Sequence, residues 1–150
     1  VVQPAQSVVL RGCRLVLVED DHAVRESLTA RLQAWGAQVL AVDSLAAPQA
    51  AASQHPAVDL LITDERLADA SGLDVIAWAR AQWGRLPALV VTGDTAPQDL
   101  NTLAASGVPV LHKPFRAEAL QQAIERAVAA APAAREAAGA ERREAQPASL

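Results

Sequence analysis

The chain has 150 residues, 51% of them hydrophobic and 20% charged, with a formal net charge of −4. That length suits one domain with its own core, and so apolar a composition excludes a chain disordered throughout. Net acidity with no compensating Lys/Arg cluster, and only Phe115 and three Trp as aromatics, argue against a nucleic-acid face, which needs cations for phosphates and rings for bases. The single cysteine, Cys13, can form neither an internal disulfide nor a CxxC metal site. No apolar run reaches the roughly 18 residues of a membrane span, so no direct membrane contact by this segment is expected. The chain starts at Val1, contains no Met and shows no secretory pattern; the expectation is a processed product or a piece of a longer protein.

Residues 1–13 show no sustained period and are expected to be a linker. Residues 14–18, Arg-Leu-Val-Leu-Val, form a short apolar run ending at Glu19-Asp20-Asp21, the pattern of a strand buried on both faces. Val24, Leu28, Leu32 and Trp35 then recur at helical spacing, with Gly36 as a stop. A second strand is expected over 38–42. Residues 44–54 read as an Ala-rich helix with Ser44 as its cap and Pro48 in its early turns, ended by His55-Pro56. A third strand over 58–63 runs directly into Asp64. The polar segment 65–71 leads to Gly72, and Leu73, Ile76, Ala77 and Arg80 carry a helix to Trp83-Gly84. A fourth strand over 88–91 leads into Thr92-Gly93-Asp94-Thr95. Pro97 suits a first helical turn, and Leu100, Leu103 and Ala104 carry that helix to Gly107. A fifth strand is expected over 108–111, before Lys113-Pro114-Phe115. Leu120, Ile124 and Val128 mark a last helix over 117–130. In the tail, 132–150, Arg135, Arg142 and Arg143 alternate with Glu136, Glu141 and Glu144, a solvated charge mixture with no apolar face.

Apolar strands alternating with amphipathic helices predict an α/β domain over 14–131, a doubly wound parallel sheet of (βα)5 flavodoxin-like type with strand order 2-1-3-4-5. In such a sheet ligands bind beyond the carboxyl ends of the strands. Those ends carry Glu19, Asp20 and Asp21 after strand one, Asp64 after strand three, Thr92 and Asp94 after strand four and Lys113 after strand five. Carboxylates gathered on one rim repel one another and gain protons unless a cation joins them. Mg²⁺ suits such a set, because it prefers a few carboxylates, water and a phosphate oxygen. A carboxylate nucleophile, a metal, a hydroxyl donor and a mobile ammonium are together what an aspartyl-phosphate requires.

The motifs Leu15-Val-Leu-Val-Glu-Asp-Asp21, Leu60-Leu-Ile-Thr-Asp-Glu-Arg66, Val90-Val-Thr-Gly93 and Lys113-Pro-Phe115, in this order and each at a strand end, resemble the receiver (response-regulator) domain of two-component signalling. The resemblance covers about residues 14–130. It implies Asp64 as phospho-acceptor, Asp20 as a direct Mg²⁺ ligand, Glu19 acting through water, and the backbone carbonyl of Arg66 as a further ligand. Thr92 would bond a phosphoryl oxygen and carry the switch. Lys113 would pair with the phosphoryl group, and the Lys113–Pro114 bond would be cis. The resemblance also implies a phosphohistidine donor, either a histidine kinase core or a histidine phosphotransfer domain. A second copy of the chain is a further candidate partner, and output would pass through the fourth helix, fifth strand and fifth helix. The location implied is cytoplasmic, the parent protein being anchored in a membrane or not. Asp-x-Arg-Leu with Thr-Gly-Asp and Leu-His-Lys-Pro is most like the receivers attached to hybrid sensor histidine kinases. Such a domain supplies part of the transfer chemistry itself, although it is seldom classed as an enzyme.

Two positions depart from that pattern. Val110 stands where receivers usually carry a switch aromatic. Arg66, two after Asp64, and Asp94, two after Thr92, hold positions that in receivers flank the route of attacking water, so the resemblance implies them as candidate modulators of dephosphorylation. Plainer roles are expected elsewhere. Asp21 starts a helix, Cys13 is a small residue near the core, and Trp35, Trp78 and Trp83 pack helix faces. His22, His55 and His112 lack zinc-ligand spacing. Two other functions compete. A phosphorylation-independent interaction module would have no need of a repelling acidic cluster. A nucleotide-binding or phosphatase enzyme of the same fold would need GxGxxG, GxxxxGK[ST] or Asp-x-Asp after strand one, and the chain has none of these.

Overall fold

A computed structural model describes residues 10–51, 57–93 and 97–130. Its elements in chain order are β1 (Arg14–Val18), α1 (His22–Ala34), β2 (Gln38–Val42), α2 (Ala46–Ala51), β3 (Leu60–Asp64), α3 (Gly72–Trp83), β4 (Ala88–Thr92), α4 (Pro97–Ser106) and β5 (Val110–His112). A final helix, α5, covers 117–130. The five strands form one sheet in the order β2-β1-β3-β4-β5, and every pairing is parallel. This is the doubly wound topology expected from the alternation of elements.

The period-two alternation of each strand divides the core into two layers. Leu15, Leu17, Leu60, Ile62, Leu89, Val91 and Leu111 face one side, under Leu28 and Leu32 of α1 and Leu120 and Ile124 of α5. Val16, Val18, Leu61, Ala88 and Val90 face the other, under Val75, Ile76 and Ala79 of α3 and Leu103 of α4. The three central strands bury both faces, which is why they read as continuous aliphatic runs. Trp35 packs against the first layer, and Trp78 and Trp83 pack against the second. Cys13 is buried and free. Leu10 is only 2% exposed and belongs to the first layer, so the packed part begins inside the stretch expected as linker. Residues 1–9 and the tail 132–150 lie outside the described residues.

Three local readings are corrected. The helix expected over 44–54 is Ala46–Ala51 among the described residues, and Ser44 is not what caps it. The N–H groups of Leu45 and Ala46 donate instead to the two carboxylate oxygens of Asp69, each at 3.1 Å. Strand β5 is Val110–His112 rather than 108–111. Pro109 has no N–H for the ladder; its carbonyl accepts from Val90, and pairing begins one residue later. The β3–α3 segment, expected only to be polar, ends in a capping box: Ser71 accepts from Asp74 N–H, and Asp74 accepts from Ser71 N–H. Asp21, as expected, caps α1 by accepting from Val24 N–H at 3.0 Å.

Gly72 is set by close approach. Its N–H donates to the carbonyl of Glu65 at 2.7 Å, and a Cβ there would lie 2.7 Å from the Asp64 carbonyl oxygen. Backbone must move to admit a methyl group, so Gly72→Ala is expected to lower stability by about 1–3 kcal/mol, measured by urea denaturation.

Candidate phosphoryl-transfer site

Four of the five strands, β1, β3, β4 and β5, deliver a side chain to the same rim, and the parallel ladder runs one residue past β1, β3 and β5. The N–H of Glu19 donates to Val42, that of Glu65 to Val91 and that of Lys113 to Thr92, at 2.8–2.9 Å. Glu19 and Lys113 are thereby held by the sheet rather than by mobile loops. The Lys113–Pro114 bond is cis, as the resemblance implies. Asp64 is the last residue of β3 and pairs in register with Val91, one residue before Thr92.

Carboxylate oxygens of Glu19, Asp20 and Asp64 lie within 4.8 Å of one another, the one such acidic group among the described residues. Glu19 is 1% exposed and Asp64 9%, while Asp20 is open to solvent. Lys113 is the balancing cation. Its Nζ stands 2.8 Å from Glu19 Oε1 and 3.6 Å from Asp64 Oδ2, so the ammonium is seated on Glu19 more closely than on Asp64. Asp64 also accepts from the N–H of Glu65 at 2.9 Å. Thr92 is fully buried at the end of β4. Arg66 is exposed and bridges to Ser71 across the loop. Asp94 and His55 lie outside the described residues. His22 and His112 are exposed and belong to no such cluster.

The electrostatics follow from crowding. Burial, then the hydrogen bond and charge of Glu19, push the Asp64 carboxyl up to about 7; Lys113 opposes the rise and Asp20 adds to it. Burial by itself would lower the Lys113 pKa, but its bond to Glu19 and the field of Asp64 outweigh that, and the ammonium is held above its ordinary value. Three carboxyl groups face one ammonium. A hard divalent cation with oxygen ligands fits that imbalance.

Two contacts were not legible in the sequence. Arg25 of α1 donates from Nη1 to the Glu19 carbonyl oxygen at 2.8 Å and so pins the acidic loop from the helix. Asp69 ties the loop after Asp64 to the start of α2. Arg25 lies six residues past Glu19 on a helix face and carries no motif of its own.

The response regulator receiver domain family matches this chain over residues 15–125, and the chain belongs to that family. It is 38% identical over 109 residues to the response regulator MprA of Mycobacterium ulcerans, covering 71% of this chain and 46% of MprA. It is 30% identical over 116 residues to the response regulator protein FleR of Pseudomonas aeruginosa, covering 77% of this chain and 24% of FleR. The chain thus spans less than half the length of these curated relatives. Among solved structures, the non-phosphorylated HemR receiver domain of Leptospira biflexa superposes with a TM-score of 0.64 at 28% identity, covering 77% of this chain and 94% of that one.

Asp64 takes up its proton more readily in the folded chain than in the unfolded one, where the value is 3.8. The folded state therefore holds more protons between about pH 4 and 7, and this group's contribution to stability falls as pH rises through that window. Asp64→Asn is expected to stabilise the metal-free protein by about 1–2 kcal/mol at about pH 8, after discounting for solvent screening, and to change little at about pH 4. Thermal unfolding in EDTA at both pH values measures this.

Proposed function

We propose that this receiver domain is a phospho-acceptor switch that takes a phosphoryl group from a partner's phosphohistidine onto Asp64. The observation that carries this reading is the nearly buried Asp64 carboxyl at the end of β3, facing Glu19, Asp20 and the Lys113 ammonium. An Asp64 oxygen attacks phosphorus. The new O–P bond forms as the N–P bond breaks, and the imidazole leaves with the electron pair and is protonated. Asp20, Asp64, the carbonyl oxygen of Arg66 and, through water, Glu19 would hold Mg²⁺, which when bound screens the anionic phosphoryl group from the carboxylates. Lys113, seated between Glu19 and Asp64, supplies a point charge to a phosphoryl oxygen. Thr92, one residue beyond the register partner of Asp64, supplies a hydroxyl.

The donor is a histidine kinase core or a histidine phosphotransfer domain, and the setting is cytoplasmic. A parent protein of hybrid sensor kinase type and a homodimer belong to the same proposal. Two features are particular to this chain. Val110, half-buried and packed on the second core layer, replaces the ring that commonly couples the hydroxyl to output. Arg66, exposed two residues past Asp64, and Asp94, two residues past Thr92 in the sequence, are the candidate modulators of dephosphorylation. A phosphorylation-independent module is the weaker reading, because nothing in it requires the repulsion collected around Asp64.

Intact mass after incubation with acetyl phosphate tests the proposal. One added phosphoryl group is expected with Mg²⁺, and none with EDTA or in Asp64→Ala. No adduct, together with no binding of beryllofluoride, would overturn it. In the same assay Arg66→Ala is expected to shorten the half-life of the phosphorylated form; an unchanged half-life removes Arg66 as a modulator.

A further inference from the structure

The opposite edge of the sheet carries a second polar feature, made of cations. A cavity of about 570 Å³ lies beneath the start of β4 and β5. Its walls are helix ends: Arg80 and Ala81 from α3, Ser106 from α4, and Ala127 and Ala130 from α5. Leu86 and Val108 contribute apolar surface between them. Arg80 and Arg85 both line it. Among the described residues neither arginine has an ion-pair partner; Arg80 donates only its Nε, to the carbonyl oxygen of Leu86 at 3.4 Å.

Among the described residues, two guanidinium groups and no carboxylate line this cavity. Burial, and then the charge of Arg85, lower the Arg80 pKa. The converging helix ends offer only partial negative charge, and several of their carbonyls are already occupied. The Arg80 carbonyl accepts from Gly84 N–H and that of Ala104 from Gly107 N–H, while that of Leu103 accepts from the Ser106 hydroxyl. The Ser106 oxygen in turn accepts from Val108 N–H. Among the described residues, the terminal nitrogens of the two guanidiniums remain without a partner, a fork suited to a carboxylate or phosphate oxygen pair. The remaining lining is aliphatic, and the volume falls within the range of small-ligand sites. Walls of helix ends on three elements suit a compact ligand rather than an extended peptide.

We propose that this basal cavity binds a small organic anion, its oxyanion head between Arg80 and Arg85 and its apolar body against Leu86, Val108 and Ala127. The site is separate from the carboxylate rim, at the other end of the same strands, and does not depend on the phosphoryl-transfer reading.

Titration of the full chain with octanoate, followed through backbone amide resonances, tests this. Saturable shifts are expected at Leu86, Gly107, Val108 and Ala127. Arg85→Gln, an exposed position, is expected to weaken binding about tenfold, as loss of one charge-assisted hydrogen bond implies, while phosphorylation by acetyl phosphate stays unchanged. Octan-1-ol keeps the body without the head, and inorganic phosphate keeps a head without the body; each is expected to bind more weakly than octanoate. The proposal is overturned by shifts that do not saturate, by shifts confined to the rim around Asp64, by equal affinity in Arg85→Gln, or by either partial probe binding as tightly as octanoate.

Discussion

Carboxyl groups held closer than their charges tolerate dominate this molecule. Glu19, Asp20 and Asp64 share a few ångströms at the rim of the sheet, and one ammonium, Lys113, stands against them. In water such acids would separate. Here they cannot, because Glu19 and Lys113 are still bonded into the parallel ladder and Asp64 ends its central strand. The strain is electrostatic and is expressed as a proton retained on Asp64 well above the ordinary carboxylate range. What sustains it is the hydrophobic burial on both faces of β1, β3 and β4 beneath the rim.

Around that core of charge the loops are tied by groups that do not belong to it. Arg25 holds the carbonyl of Glu19 from α1. Asp69 holds the start of α2 from the loop after Asp64. The Ser71–Asp74 box and the tight approach of Gly72 fix where α3 begins. The acidic loop is thus bonded to α1, and the loop after Asp64 to the starts of α2 and α3, by hydrogen bonds that do not involve position 110, where this chain has Val110.

The two ends of the strands carry different polar groups. Acids collect at the carboxyl ends of the strands, and Arg80 and Arg85 line the cavity at the amino ends. Because the strands are parallel, each edge has one direction of chain and a different set of helix ends, so the chemistry of one edge does not impose that of the other. The relatives that share this domain are more than twice its length, and a domain with two separate polar edges can meet different surroundings at each.

The alternation of aliphatic runs and amphipathic helices by itself determined the layer architecture, because parallel strands buried on both faces read as continuous apolar runs and the helices that cover them as amphipathic ones; the strand order followed from the doubly wound type that fits five strands. The same holds for Glu19, Asp20, Asp64, Thr92 and Lys113: each ends or follows a strand, and strand ends of one parallel sheet must share a rim. Asp21 as a helix cap was legible for the same local reason. The places where the sequence was misread are those where a distant group settled a local choice. Ser44 stood at the right place to cap α2, but Asp69, twenty-three residues from Ala46, took the backbone donors. Pro109 moved the start of β5 because ladder pairing, not apolar content, sets where a strand begins. Only the tertiary structure decided that Lys113 sits closer to Glu19 than to Asp64, that Arg25 braces the acidic loop, and that Arg80 and Arg85 line one cavity. Such choices depend on distances between elements, and neither spacing nor composition along a chain encodes them.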